Sequence, residues 1–573
     1  MNRRLLYAVM AATLVCATSV LTSCSDTIDD PVTENDPLAE ERAKLQALYG
    51  ENRKITDGNY DKSLAVKCIN GTFVGRKTDN VIAYKGIPFV GEQPVGEHRW
   101  KAPIDIVPDD GIYEAYYNAK SPCQVDDEWQ RASLYPRGED CLYLNVYTPA
   151  KSAEDKLPVL FWIYGGGFSV GRGSNPEFDG EAINCRDAIL VTINYRCGAL
   201  GFFALPELDA KHGTSSNLGL LDQIQALKWV NKSIAAFGGD PEKVMIFGQS
   251  AGGMSCRMLL TSPLTEGLFS RVVIESGGGL NEADPVRPKE EFEDICSRAM
   301  AELGWTFEDI MTKDALEVNT KLNEAARKVI TEHVVGVFQP FIDGVVLNDV
   351  PGNLVKAGKY HDIPVICGTV SGDYRMFSIK VKNLLGDDNV TMARGFALSP
   401  GHAWARYQNK TGRRPIRTFY MDRKQPQGGP GGPGGPGGPG GHGAPGGHGA
   451  PAPNSPFMGG PVFGNSTPHS SEIAYIFGTL GWKEVSRGVK FDEFDHEMSE
   501  AMTSYWVNFA RTGDPNGEGL PEWPLYEEGT PVAMHFADGY YKAENVVLSD
   551  DEIKVFDHIE KHPGLLDTVE GLI

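Results

Sequence analysis

The sequence predicts an α/β fold built on buried parallel strands, and three observations predict it. Short apolar runs at Val159–Ile163, Val244–Phe247 and Ile363–Gly368 have strand length and no polar alternation, as strands covered on both faces do. Helical patterns occupy Ala226–Phe237 and Ala251–Leu260. The run Val244–Phe247 passes into the second of these helices through Gly248-Gln249-Ser250-Ala251-Gly252, a strand, a sharp turn and a helix in sequence. At 573 residues the chain is long, but one large α/β domain can hold it.

The N-terminus gives the compartment. Arg3-Arg4, an apolar run from Leu5 to Leu21 and then Leu21-Thr22-Ser23-Cys24 have the parts of an export signal over residues 1–23. Small residues before a cysteine resemble the lipobox of bacterial lipoproteins, which implies Cys24 as an acylated N-terminus that anchors the protein to a bacterial membrane, at the periplasmic face or the cell surface. The run is short and polar-flanked for a spanning helix. Residues 24–60 read as an acidic tether followed by a short helix, with the acidic, proline-containing part from Ser25 to Glu41. A formal net charge of −22 argues against nucleic acid and against attraction to anionic headgroups. Ten cysteines are too sparse for a disulfide scaffold but enough for one or two bridges in an oxidising compartment.

The turn at Ser250 carries the chemistry. Glycines two before and two after the serine suit a strained turn whose neighbours pack too closely for a Cβ. Ser250 then stands at a helix N-terminus, where N–H groups and the helix dipole favour negative charge. The pentapeptide alone says little in a glycine-rich chain, and a second copy, Gly167-Phe168-Ser169-Val170-Gly171, has no helical pattern after it and reads as loop. A serine at neutral pH needs a base, and the base an orienting acid.

Two long motifs resemble the signatures of the type-B carboxylesterases, α/β-hydrolases that include carboxylesterases, cholinesterases, some lipases and the non-catalytic neuroligins. One is Phe237-Gly238-Gly239 with Val244-x-Ile246-x-Gly248-x-Ser250-Ala251-Gly252; the other is Glu139-Asp140-Cys141-Leu142-Tyr143-Leu144-Asn145-Val146-Tyr147-Thr148-Pro149. The likeness runs from about Ile69 to Phe536. It implies the α/β-hydrolase fold: a single large catalytic domain over residues 61–560, with a large central, mostly parallel twisted sheet flanked by helices on both faces. It also implies an oxyanion hole from the N–H groups of Gly166, Gly167 and Ala251, after the strand that ends in Tyr164-Gly165-Gly166-Gly167; such donors are worth about 3–4 kcal/mol each. Relatives carry a disulfide at the positions of Cys123 and Cys141, and closing that 18-residue loop would contribute about 3 kcal/mol. Trp129 in the same loop is either a gorge-lining or a rim aromatic. Phe341-Ile342-Asp343-Gly344 resembles a family turn, with Asp343 structural.

For the base, His469-Ser470-Ser471-Glu472-Ile473-Ala474-Tyr475-Ile476-Phe477-Gly478 resembles the family's histidine loop and the helix after it; His402, His442 and His448 read as surface residues. For the acid, the chain has Gly372-Asp373-Tyr374 where relatives usually carry a glutamate. Asp373 can orient an imidazole, but its shorter reach requires the loop to come about one bond closer. Residues 427–460, Gly-Gly-Pro repeats followed by Gly-His-Gly-Ala-Pro, lack the apolar content to pack and read as a disordered insertion spanning about 30 Å, either a tolerated surface loop or a lid. These readings converge on a serine carboxylic-ester hydrolase acting on small to medium uncharged esters, with no metal and no organic cofactor. A non-catalytic adhesion protein on the same fold, and a hydrolase of amides or carbamates, are the alternatives. Gln249, beside the nucleophile, is neutral where cholinesterases place a glutamate, which argues against a cationic choline substrate.

Overall fold

The computed structural model describes residues 43, 45–78, 81–125, 132–213, 217–279, 286–330, 336–373, 390–411, 413–414, 416–426, 467–527 and 531–547. The chain divides into two units, Met1–Lys44 and Leu45–Ile573. The export signal, Cys24, Trp129, His442, His448 and the insertion at 427–460 lie outside the described residues. Residues from Leu45 already belong to the second unit, where Tyr49 bridges to Asn118 and Lys54 to Tyr113. No helix among the described residues is long and apolar enough to cross a membrane.

The second unit is built on an 11-stranded sheet. In chain order its strands are β1 (Arg76–Thr78), β2 (Val81–Pro88), β3 (Tyr143–Thr148), β4 (Leu157–Ile163), β5 (Ile189–Ile193), β6 (Gly239–Gln249), β7 (Arg271–Glu275), β8 (Val365–Val370), β9 (Arg417–Met421), β10 (Val532–Ala537) and β11 (Tyr540–Asn545). Their order across the sheet is β11-β10-β9-β8-β7-β6-β4-β5-β3-β2-β1. Pairing is parallel from β5 through β4, β6, β7, β8 and β9 to β10, and antiparallel at both edges. A separate 3-stranded sheet pairs Ala65–Cys68, Gly71–Val74 and Ile112–Glu114.

The central strands carry apolar runs because both faces are covered there. Val159 to Ile163 in β4 and Val244 to Phe247 in β6 are all fully buried. Helices α1 (Leu218–Ser233), α2 (Ala251–Thr261), α3 (Val390–Thr411), α4 (Glu472–Ile476) and α5 (Glu493–Thr512) flank the sheet. Helix α1 begins well before the expected Ala226. It is buried on nearly every side, so its sequence carries little amphipathic period to mark its start. Strand β8 is displaced two residues from the expected Ile363–Gly368, because Pro364 has no N–H to give the ladder and Thr369 and Val370 pair with Tyr420 and Met421.

This topology places the site. After β4 the chain adds β5 on one side and β6 on the other, so the strand order reverses between β4 and β6. In open α/β sheets the loops leaving the carboxyl ends of such strands diverge, and ligands bind in the crevice between them. Here the Trp162 ring of β4 meets Phe178, Phe247 of β6 and Phe477, just after α4, with centroids 4.8–5.0 Å apart. One aromatic cluster therefore joins both central strands to the segment that carries His469.

Candidate active site

Strand β6 ends at Gln249 and α2 starts at Ala251, leaving Ser250 between them at φ 57°, ψ −125°. A non-glycine residue in that region costs about 1–3 kcal/mol and persists only where its surroundings enforce it. Here they do. Ser250 N donates to Glu275 O at 2.9 Å, and Ser250 O accepts from Met254 N at 2.8 Å. A Cβ on Gly252 would lie 2.0 Å from Ile163 O, and one on Gly248 2.6 Å from the Gly252 carbonyl. The flanking glycines are thus required by the backbone of β4 passing against the turn.

The Tyr164-Gly165-Gly166-Gly167 segment leaves β4 beside this turn. A Cβ on Gly165 would meet Gln249 O at 2.5 Å and Ser250 Cβ at 3.0 Å, so this loop lies directly on the elbow. Gly166, at φ 116°, bends the chain as only glycine does readily. Among the described residues, the amides of Gly166, Gly167 and Ala251 donate to no protein acceptor. Tyr164 does not face the crevice; its ring stacks on Tyr195 at 4.3 Å and its hydroxyl donates to Tyr195 O at 3.0 Å. Ser169 sits in a turn with its hydroxyl donating to Gly167 O, and no helix starts directly after it.

His469 reaches the elbow from the loop before α4. Its Nδ1 donates to Asp373 Oδ1 at 2.5 Å, and its Nε2 accepts from the Gln249 side-chain amide at 3.2 Å. The Gln249 amide is oriented by Ser470, whose hydroxyl donates to Gln249 Oε1 at 2.9 Å. With its proton on Nδ1, the imidazole turns the lone pair of Nε2 toward the residues around Ser250. Burial alone would lower the His469 pKa, but the charge and hydrogen bond of Asp373, with a smaller contribution from Glu472, hold it above its ordinary value.

The shorter reach of Asp373 is compensated by the backbone. Gly372 N donates to Thr467 O at 2.8 Å, and Thr467 N donates to Ser371 Oγ at 2.7 Å, so the acid loop and the histidine loop are bonded directly together. A Cβ on Gly372 would stand 2.3 Å from Thr467 O. The Asp373 carboxylate is completed by Val370 N at 3.1 Å and by the Thr369 hydroxyl, both donating to Oδ2. One oxygen therefore serves the imidazole and the other is fixed by its own strand end.

The structure brings Ser250, His469 and Asp373 to one place and sets the Gly166, Gly167 and Ala251 amides beside it. It differs from expectation at two points. Cys123 and Cys141 are free thiols, not a bridge. Both are buried, and burial pushes the Cys123 thiol up to about 12 and Cys141 well above its ordinary value, which suppresses the thiolate that disulfide exchange requires. They line a cavity with Arg99, Glu139 and Cys197. His402 is buried in α3 and not at the surface, its ring 5.4 Å from that of Tyr526. Asp343 is structural: its carboxylate accepts from the amides of Val345, Val346 and Leu347 and from Asn217 Nδ2. Sequence reasoning missed the Ser371–Thr467 clamp and Glu275; the signal for Glu275 was a carboxylate ending the apolar run of β7.

The Carboxylesterase family profile matches residues 62–428 and 449–546. The chain is 30% identical over 495 residues to the para-nitrobenzyl esterase of Bacillus subtilis, covering 85% of this chain and 97% of that protein. It is 31% identical over 486 residues to the fumonisin B1 esterase of Sphingopyxis macrogoltabida, covering 82% and 85%. Among solved structures, a thermophilic PNB esterase superposes with a TM-score of 0.70 at 27% identity, covering 86% of this chain and all (100%) of that one. A Geobacillus stearothermophilus carboxylesterase superposes with a TM-score of 0.65 at 28% identity, covering 86% and 99%.

Proposed function

The chain belongs to the carboxylesterase family and is a carboxylic ester hydrolase, and we propose that it works through Ser250, His469 and Asp373 by way of an acyl-enzyme. The observation that carries this reading is the orientation of His469, with Nδ1 on Asp373 and Nε2 turned to the elbow that holds Ser250 in a strained backbone conformation. His469 Nε2 takes the hydroxyl proton as Ser250 Oγ attacks the ester carbonyl, the Gln249 amide giving way to the serine. Asp373 fixes the tautomer and stabilises the imidazolium that forms. The negative oxygen of the tetrahedral intermediate is held by the amides of Gly166, Gly167 and Ala251. His469 then protonates the leaving alcohol, and a water molecule repeats the cycle on the acyl-serine.

The substrates proposed are small to medium uncharged esters. Gln249, buried beside the nucleophile, brings no charge to attract a cation. The protein is further proposed to be exported and held at a bacterial membrane surface by lipid on Cys24, on the strength of Leu21-Thr22-Ser23-Cys24 after an apolar run. Palmitate labelling that persists in Cys24→Ser would refute the anchor. The mechanism is tested by release of p-nitrophenol from short-chain p-nitrophenyl esters by the purified full chain. Activity is expected in the wild type and a loss of at least 10³-fold in kcat in Ser250→Ala. Undiminished turnover in a folded Ser250→Ala protein overturns the assignment.

A further inference from the structure

Behind His469 lie two carboxyl groups that the mechanism does not use. Glu275 ends β7, its own backbone carbonyl accepting from Ser250 N, and Glu472 opens α4, three residues after the histidine. Both are fully buried. Glu275 Oε1 accepts from the Trp506 indole at 2.7 Å, and Glu472 Oε1 accepts from the Ser276 hydroxyl at 3.0 Å. The second oxygen of each, Oε2, is buried without a hydrogen-bond partner among the described residues. A buried carboxylate with an unfilled oxygen is costly, and two that repel each other cannot both stay ionised.

We propose that Glu275 and Glu472 form a buried acid pair in which Glu275 keeps its proton, so that the single negative charge rests on Glu472 and makes it a positioning residue for the catalytic imidazolium. This rests on the proposed role of His469 as base. The surroundings decide which member is charged. Glu472 faces the imidazole, whose cation favours its anion, and it has its own backbone amide as well as Ser276. Glu275 has one donor, the neutral Trp506 indole, and faces the Glu472 charge and the buried Cys256 thiol. Burial, then the Glu472 charge, pushes the Glu275 carboxyl well above its ordinary value. Glu472 is also raised, first by burial and then by the Asp373 carboxylate, and is pulled back by His469. Other charged groups on the elements against α4 are paired elsewhere, Glu177 with Lys483 and Asp495 with Arg423. Asp373 and Glu472 thus bring negative charge to the imidazole as it acquires a proton.

Two measurements test the pair. Infrared difference spectroscopy of the full chain at pH 8 is expected to show the C=O stretch of a buried, protonated carboxyl. That band should vanish in Glu275→Gln and persist in Glu472→Gln; a band missing from the wild type, or surviving in Glu275→Gln, overturns the proposal without reference to activity. In the pH dependence of kcat/KM on a p-nitrophenyl ester, Glu472→Gln removes an anion that raises His469. Its acid limb is expected to move down by half a pH unit or more, with kcat lowered about tenfold and KM within twofold. An unmoved acid limb overturns the proposal. Failure of the triad reading itself shows differently, as activity that survives Ser250→Ala.

Discussion

Gly372→Ala is the sharpest test of the proposed pairing of Asp373, as acid, with His469, as base. The new Cβ would stand 2.3 Å from Thr467 O, where side-chain carbons essentially never come closer than 3.0 Å, so the two loops must part by about 0.7 Å. Thr467 lies two residues before His469, and Gly372 immediately precedes Asp373. Passed on to the His469–Asp373 contact of 2.5 Å, that parting brings it to the outer limit of a hydrogen bond and also weakens the Gly372–Thr467 bond of 2.8 Å. Misplacement of a catalytic group by about 1 Å costs on the order of 10²-fold in rate. The expected result is a fall in kcat of about 10²-fold, or about 2.7 kcal/mol of barrier, with KM within twofold. Initial rates on p-nitrophenyl acetate give both constants, and a melting curve on the same sample separates a misplaced acid from an unfolded protein. A folded Gly372→Ala enzyme with wild-type kcat would refute the reasoning, because the acid would then not depend on the joined loops.

Three other outcomes follow from the geometry. Asp373→Asn keeps the shape but removes the charge that selects the Nδ1–H tautomer, so kcat in the p-nitrophenyl ester assay should fall by about 10³–10⁴-fold. Gln249→Glu sets a carboxylate against His469 Nε2, which raises the imidazole and moves the acid limb of kcat/KM upward by on the order of one pH unit; choline esters should also gain relative to uncharged esters of equal acyl length. His535, between Asp422 at 2.9 Å and Glu544 at 2.8 Å, ties edge strand β11 to β10 and β9. Burial would lower its pKa, but the two carboxylates hold it above the ordinary value, so its contribution is complete below the unfolded pKa and is lost as pH rises through the folded one. His535→Gln should therefore destabilise by about 1–2 kcal/mol at pH 5.5, with the difference from wild type shrinking toward pH 9 in urea titrations.

What was legible in the sequence was what backbone sterics and burial write into it. The glycines around Ser250 stand where the β4 backbone leaves no room for a Cβ, and the runs Val159–Ile163 of β4 and Val244–Phe247 of β6 are apolar because both their faces are covered. Asp373 could be proposed as the acid from its place after β8, but not whether it would reach, because reach depends on the Gly372–Thr467 bond between positions 95 residues apart. The start of α1 was hidden for the opposite reason: a helix buried on nearly every side has no polar stripe to mark where it begins. Burial of His402 was equally hidden, since an isolated histidine in a helical segment carries no sign of the face it occupies.

The division of labour in the site follows from the sheet. Both the Ser250 turn and the glycine loop leave adjacent strands at the point where strand order reverses, so the backbone amides beside the nucleophile are set by β-sheet register and cannot drift independently of it. His469 and Asp373 lie instead in loops, which are the more variable parts of a fold. Here those loops are tied to each other by hydrogen bonds: Thr467 is bonded to both Ser371 and Gly372, and its hydroxyl donates to Arg423 O at 2.9 Å. The Arg423 guanidinium in turn binds Asp492 and Asp495 at the start of α5 and Asp538 beyond β10. Arg423 and Thr467 flank the segment that contains the Gly/Pro-rich insertion, so the bond between them closes that segment at its base.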